Sequence, residues 1–64
     1  MKVKYLARGM EKFFKKDKEY QPFTRNGDVY VTDEQGTDWF LNYNGLGYSI
    51  YCGVVSEKTL AEFV

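Results

Sequence analysis

The sequence predicts an all-β domain: five short strands in a meander, rolled into a partly open barrel and ended by a short C-terminal helix. Three observations lead there. Asn26-Gly27 stands between apolar-alternating segments, and both central residues of a type I′ hairpin turn need positive φ, which Asn and Gly tolerate best. Val29-Tyr30-Val31-Thr32 and Tyr48-Ser49-Ile50-Tyr51-Cys52-Gly53-Val54-Val55 are β-branched or alternate with period two. Five Phe, six Tyr and one Trp in 64 residues supply the bulk that so short a chain needs, because a domain of this size hides only about 60% of its unfolded surface.

In chain order, Lys2-Val3-Lys4-Tyr5-Leu6 alternates, with Val3 and Tyr5 expected on one side and the lysines on the other. Residues 6–19 also fit a helix, since Leu6, Met10, Phe13 and Phe14 recur at helical spacing and Glu11 precedes Lys15 by four. Gly9 in its middle costs that helix about 1 kcal/mol. The preferred reading is a strand, a loop through Arg8 to Lys12, and a tight turn. That turn is Phe14-Lys15-Lys16-Asp17-Lys18-Glu19-Tyr20, with Asp17 reversing the chain in a left-handed conformation while Phe14 and Tyr20 drop onto one apolar face. Tyr20 to Phe23 is extended, and Pro22, lacking an N–H, belongs at an edge or bulge.

After the Asn-Gly turn and its strand, Asp33-Glu34-Gln35-Gly36 makes a bulged loop with Gly36 left-handed, and Thr37 to Tyr43 returns as a strand with Trp39 and Tyr43 inward and Phe40 outward. Asn44-Gly45-Leu46-Gly47 bends the chain. In the strand that follows, Tyr48, Ile50, Cys52 and Val54 share the inward face. Ser56 then caps a helix to Val64, with Glu57 at its positive end and Leu60, Phe63 and Val64 as an i, i+3, i+4 stripe closing the barrel. Without repeats, linkers or low-complexity stretches, residues 1–64 read as one domain.

The Phe14 to Tyr20 stretch resembles F-x-K-G-K-x-Y, the opening hairpin of many small phage and prophage proteins with an SH3-like barrel, with Asp17 where that pattern prefers Gly. Gly27 to Gly36 is similar to the next hairpin of that family, and a closing helix at Ser56 to Val64 would match its usual end. The resemblance covers about two thirds of the chain. It implies a five-stranded SH3-like barrel and a regulatory part acting inside a bacterial cell.

Composition removes most chemistry. The chain has no histidine, so a Ser-His or Cys-His nucleophile system cannot be built, and no enzyme activity is expected. The single Cys52 cannot form an internal disulfide and reads as a buried, inert thiol, which fits the reducing cytoplasm of a bacterial host cell. No apolar run has the length of a membrane span and no signal-peptide core follows Met1, so a soluble, unprocessed protein is expected, as a monomer or weak dimer. Asp28, Asp33, Glu34 and Asp38 gather at two turns but miss the calcium-loop spacing, and Gly45-Leu46-Gly47 is followed by neither a helix nor a Walker lysine. No metal or cofactor is expected.

What remains is binding. Tyr30, Phe40 and Tyr51 fall on outward positions and predict an aromatic contact patch, with Asp28, Asp33, Glu34 and Asp38 as acids that steer a protein partner. Combined with the phage resemblance, this predicts a module that binds a bacterial host protein and modulates or inhibits it by occluding a surface. The alternative is nucleic-acid binding. Residues 1–25 hold eight basic side chains against three acids, about +5, and residues 26–64 one against six, about −5, so Lys12, Lys15, Lys16 and Lys18 beside Phe13 and Phe14 offer a basic face. Zero net charge weighs against it, because phosphate affinity rests on charge neutralisation.

Overall fold

In a computed structural model, which describes residues 1–53 and 58–64, the chain forms six antiparallel strands and, among the described residues, no helix. They are β1 (Val3–Leu6), β2 (Phe23–Arg25), β3 (Asp28–Thr32), β4 (Asp38–Tyr43), β5 (Tyr48–Tyr51) and β6 (Thr59–Phe63). Sheet order is β1-β6-β5-β4-β3-β2: a five-strand meander from β2 to β6, with β1 returning beside β6. The all-β class holds, but the described residues form six strands rather than five. The chain holds this open sheet within Cα extents of 27 × 25 × 22 Å. Its edges, β1 and β2, approach where the segments leading into them meet: Lys2 bridges Glu19, and the Tyr20 N–H donates to the Met1 carbonyl at 2.8 Å.

The largest correction is at the C-terminus, where the expected helix is strand β6. Ala61 and Phe63, two apart, are fully buried, Leu60 is half-buried and Val64 is exposed. The i, i+3, i+4 stripe was a coincidence of a short apolar segment, and the pairing available on both sides, β1 and β5, decided its conformation. Ser56 and Glu57, the expected cap, lie outside the described residues, as do Val54 and Val55. β5 ends at Tyr51, which leaves Cys52 exposed rather than buried; its amide donates to the Lys58 carbonyl at 3.0 Å.

Near the N-terminus the strand-then-loop reading prevails over the helix. β1 carries a bulge: Val3 pairs with Phe63 and Tyr5 with Glu62, so Lys4 is extra and the alternation shifts. Val3 and Leu6 therefore turn toward the core, and Tyr5, expected on the same side as Val3, is exposed. Ala7 to Phe14 forms two tight turns, closed by Met10 N–H on the Ala7 carbonyl and Phe13 N–H on the Met10 carbonyl. Phe14 and Tyr20 do share one face, buried and edge-to-face at 5.3 Å. Asp17 is not left-handed: among the described non-glycine residues only Asn26 has positive φ. The 15–18 turn is closed instead by Lys18 N–H on the Lys15 carbonyl, and the Tyr20 hydroxyl accepts the Lys15 N–H at 2.8 Å.

The core centres on aromatics. Phe14 meets Phe63 at 5.2 Å and Trp39 at 6.1 Å, with Val31, Leu41, Ile50, Met10 and the alanines filling between them. Edge-to-face pairs of this kind add about 1 kcal/mol beyond area burial. Around this core the turns form as their residues require. Asn26 and Gly27 sit at φ 54° and 86°, the type I′ pair, and close the β2–β3 hairpin at Arg25–Asp28. Pro22 precedes β2, which is an edge strand. Gly47 has a different role: a Cβ there would overlap the Phe63 carbonyl oxygen and lie 3.0 Å from its carbon, so the β4–β5 turn packs directly on the β6 backbone.

Asp33 organises the third turn. Its Oδ1 accepts the amides of Gln35 and Thr37 at 2.8 and 2.9 Å, and its Oδ2 accepts the Trp39 indole N–H at 2.7 Å. Burial alone would raise its pKa, but the Trp39 and backbone donors outweigh it and hold the carboxyl below its usual value. Next to it Glu34 accepts from Lys18 and from the Tyr20 hydroxyl, at 2.8 and 2.7 Å, and both donors lower its pKa. Tyr20 is raised, by burial first and by Glu34 second. The depressed carboxyls of Asp33 and Glu34 give stability that is present above about pH 4 and lost as pH falls through their folded values; the raised phenol gives stability present below about pH 10 and lost above it. Urea midpoints measured from pH 2 to 11 should fall at both ends. Asp33→Asn should lower the unfolding free energy at pH 7 by about 2 kcal/mol, for the weakened staple, and flatten the acid limb; an unchanged acid limb would remove Asp33 from this role.

Candidate functional site

The two hairpin turns set the register of the outer sheet surface. A two-residue turn pairing Arg25 with Asp28 places Phe23 opposite Tyr30, and the Asp33–Gly36 turn places Tyr30 opposite Phe40. Phe23, Tyr30 and Phe40 thus form a row across β2, β3 and β4 on the face away from the core. Phe23 and Tyr30 stack at 5.9 Å, and Tyr30 meets Phe40 edge-on at 5.9 Å. Direct cross-strand aromatic pairs of this kind stabilise sheets by about 0.2–1 kcal/mol each.

Arg25 locks the row. Its guanidinium carbon lies 4.6 Å from the Tyr30 ring centre and 5.6 Å from that of Phe23, and its Nη1 donates to Asp38 Oδ2 at 3.1 Å. Asp38 Oδ1 accepts the Thr32 hydroxyl at 2.7 Å. With guanidinium, carboxylate and rings each fixing the next, the row loses little side-chain entropy on contact with a partner. Phe40 is the most open member, 48% exposed.

Beside Phe40 lies a groove. β4 and β5 pair at Asn42–Ser49 and Tyr43–Tyr48, and past the end of that ladder the surface has a groove of about 310 Å³. Asp38, Phe40 and Tyr51 line it together with Trp39, Ile50 and Gly53. The groove therefore joins the aromatic row to Tyr51, which is half-buried.

The structure brings Tyr30, Phe40, Tyr51 and Asp38 onto one continuous surface. Asp28 is exposed at the β2–β3 turn, at the far end of the same hairpin. Asp33 and Glu34 lie elsewhere: both Asp33 oxygens are engaged within its own turn and with Trp39, and Glu34 faces Lys18 and Tyr20. Two members of the surface, Phe23 and Arg25, were not named from the sequence, although the Asn-Gly turn register already implied them. Trp39 packs against the core as expected, but Tyr43, also expected inward, is 72% exposed, because it stands at the strand's end where Tyr48 meets its edge at 5.7 Å.

The basic face divides. Lys15 and Lys16 are exposed, Lys12 lies 5.2 Å over the Phe13 ring, and Lys18 is tied to Glu34. The ion pairs Lys18–Glu34 and Arg25–Asp38 both join the basic first part of the chain to the acidic second part, so the folded surface is less polarised than the sequence. Among the described residues no three His, Cys, Asp or Glu side chains gather as metal ligands, and no helix is long and apolar enough to cross a membrane. Comparison with known protein families, curated proteins and solved structures finds no match to this chain.

Proposed function

We propose that this protein is a protein-binding module whose contact surface is the Phe23–Tyr30–Phe40 row, extended by Asp38 and Tyr51. The observation that carries this is the row itself: three aromatics in direct cross-strand register, held by an arginine, on the outer face of the sheet. Interfaces concentrate aromatic residues and arginine at their centres, and rigid aromatic anchors there carry most of the binding energy. Phe40 is the anchor, and Asp38 and Asp28 orient a partner bearing basic groups. The mechanism is occlusion: the module covers a working surface of its partner. The resemblance of Phe14–Tyr20 to the SH3-like proteins of phages and prophages supports a bacterial host protein as the target and the host cytoplasm as the place.

Nucleic-acid binding through Lys12, Lys15 and Lys16 is the competing reading, and Glu34 beside Lys18 weighs against it. Affinity capture of tagged protein from bacterial lysate, with and without nuclease at low and raised salt, separates the two. A stoichiometric protein that survives nuclease and salt is the expected result. Recovery of nucleic acid alone, lost as salt rises, would transfer the function to the lysine face.

A further inference from the structure

The groove beside Phe40 has room for one guest of side-chain size. Its volume, about 310 Å³, stands at the lower end of the range for ligand pockets. It is a depression in the surface, lined by Trp39, Phe40, Asn42, Ile50 and Tyr51 and bordered by Asp38 and Gly53, so a guest enters it without disturbing the pairing of β4 with β5.

The lining specifies that guest. Three of its residues are aromatic, and a ring entering among them gains edge-to-face contacts beyond the area it buries. No charge is free to receive an ion: among the described residues Asp38 alone in the lining is charged, and its two oxygens are taken by the Arg25 guanidinium and the Thr32 hydroxyl. An ammonium, guanidinium or carboxylate placed there would lose water without gaining a partner. One polar group is free. Ser49, opposite Asn42 in the ladder, takes its hydrogen bond from the Asn44 amide at 2.8 Å, which leaves the Asn42 amide without a partner among the described residues. That amide both donates and accepts, as a phenol hydroxyl does, whereas an indole N–H only donates and a phenyl ring does neither.

Resting on the protein-binding reading above, we propose that this groove receives a single tyrosine side chain of the partner protein, its ring against Phe40, Trp39 and Tyr51 and its hydroxyl on the Asn42 amide. Phe40 belongs both to the groove and to the Phe23–Tyr30–Phe40 row, so the two form one contact. The row meets the surface of the partner, and the groove takes its anchor.

The test titrates N-acetyltyrosinamide into the full chain and follows the side-chain amide signals of Asn42 and the ring signals of Trp39, the only tryptophan, by NMR. Both should shift saturably, with a dissociation constant of about 10 mM or tighter. N-acetylphenylalaninamide should bind about three- to tenfold more weakly, the effect of one hydrogen bond, and N-acetyllysinamide should shift neither. Asn42→Ala should erase the preference for the tyrosine amide over the phenylalanine amide; the comparison on the wild-type chain stands whether or not that variant folds. Equal binding of the two aromatic amides, shifts confined to other residues, or no saturable shift in this range would overturn the assignment. Should the amides fail while Phe40→Ala still weakens partner capture, the outer-surface reading stands without the groove. If the tyrosine amide binds but neither Phe40→Ala nor Asn42→Ala weakens capture, the groove serves a free small molecule and its assignment to a partner's tyrosine falls. If the amides fail and capture is unaffected by Phe40→Ala, both readings fall.

Discussion

Replacing Gly47 by alanine is expected to leave the protein largely unfolded. The added methyl would overlap the Phe63 carbonyl oxygen and approach its carbon to 3.0 Å and the Val64 Cα to 3.1 Å. These are backbone atoms of a strand paired on both sides, so no side-chain rotation relieves the clash. Separating the β4–β5 turn from β6 would also disturb the Asn44 side chain, whose oxygen accepts the Leu46 and Gly47 amides and whose amide donates to buried Ser49. The cost is about 4 kcal/mol or more, at the extreme of single substitutions, against a total stability of about 3–10 kcal/mol for a domain of this length. Gly45→Ala, which meets nothing within 4 Å but is left-handed at φ 91°, should cost only about 1 kcal/mol. Circular dichroism and urea melts on the two variants give the comparison; equal losses would mean that the close approach to Phe63 is not what constrains the turn.

Phe63→Ala is the second large effect. The ring is fully buried between Phe14 and Tyr20, 5.2 and 6.2 Å away, and its removal leaves a cavity at the junction of β1, β5 and β6. A loss of about 3–5 kcal/mol is expected. Val64→Ala, at an exposed position, should stay within about 0.5 kcal/mol. The pair also tests β6 itself, because a terminal helix with Leu60, Phe63 and Val64 as one stripe would make both residues core. Comparable losses at 63 and 64 would favour the helix over the strand.

How far the sequence revealed this fold depended on whether the deciding interaction was local. The Asn26-Gly27 turn, the Asp33–Gly36 loop and the strands they join were legible because their backbone demands are met by the residues themselves. Register follows from those turns, so the Phe23–Tyr30–Phe40 row was in principle readable from the hairpins; Tyr30 and Phe40 were found, and Phe23 and Arg25 were missed by judging each strand alone. The C-terminal segment went the other way. Thr59–Phe63 has no strong local preference, and its strand state comes from β1 and β5, which are 50 or more and about 10 residues away in sequence. The bulge at Lys4 and the solvent-exposed Cys52 were hidden for the same reason: both depend on where a partner strand ends. For the surface, aromatic composition indicated contact chemistry, but the groove beside Phe40 and Tyr51 lies where the β4–β5 ladder ends, which no periodicity records.

The protein-binding surface is tested most directly by titrating the partner recovered by capture against the wild type and against Phe40→Ala with Tyr51→Ala, using calorimetry. Lys16→Ala, at an exposed site in the 15–18 turn, serves as the control, and urea melts establish that all three proteins are folded. The double variant is expected to bind at least about 30-fold more weakly, the loss of roughly 2 kcal/mol that marks an aromatic anchor, while the control binds as the wild type does. Unchanged affinity in the folded double variant, or a loss at Lys16→Ala instead, would contradict the assignment of binding to the Phe23–Tyr30–Phe40 face.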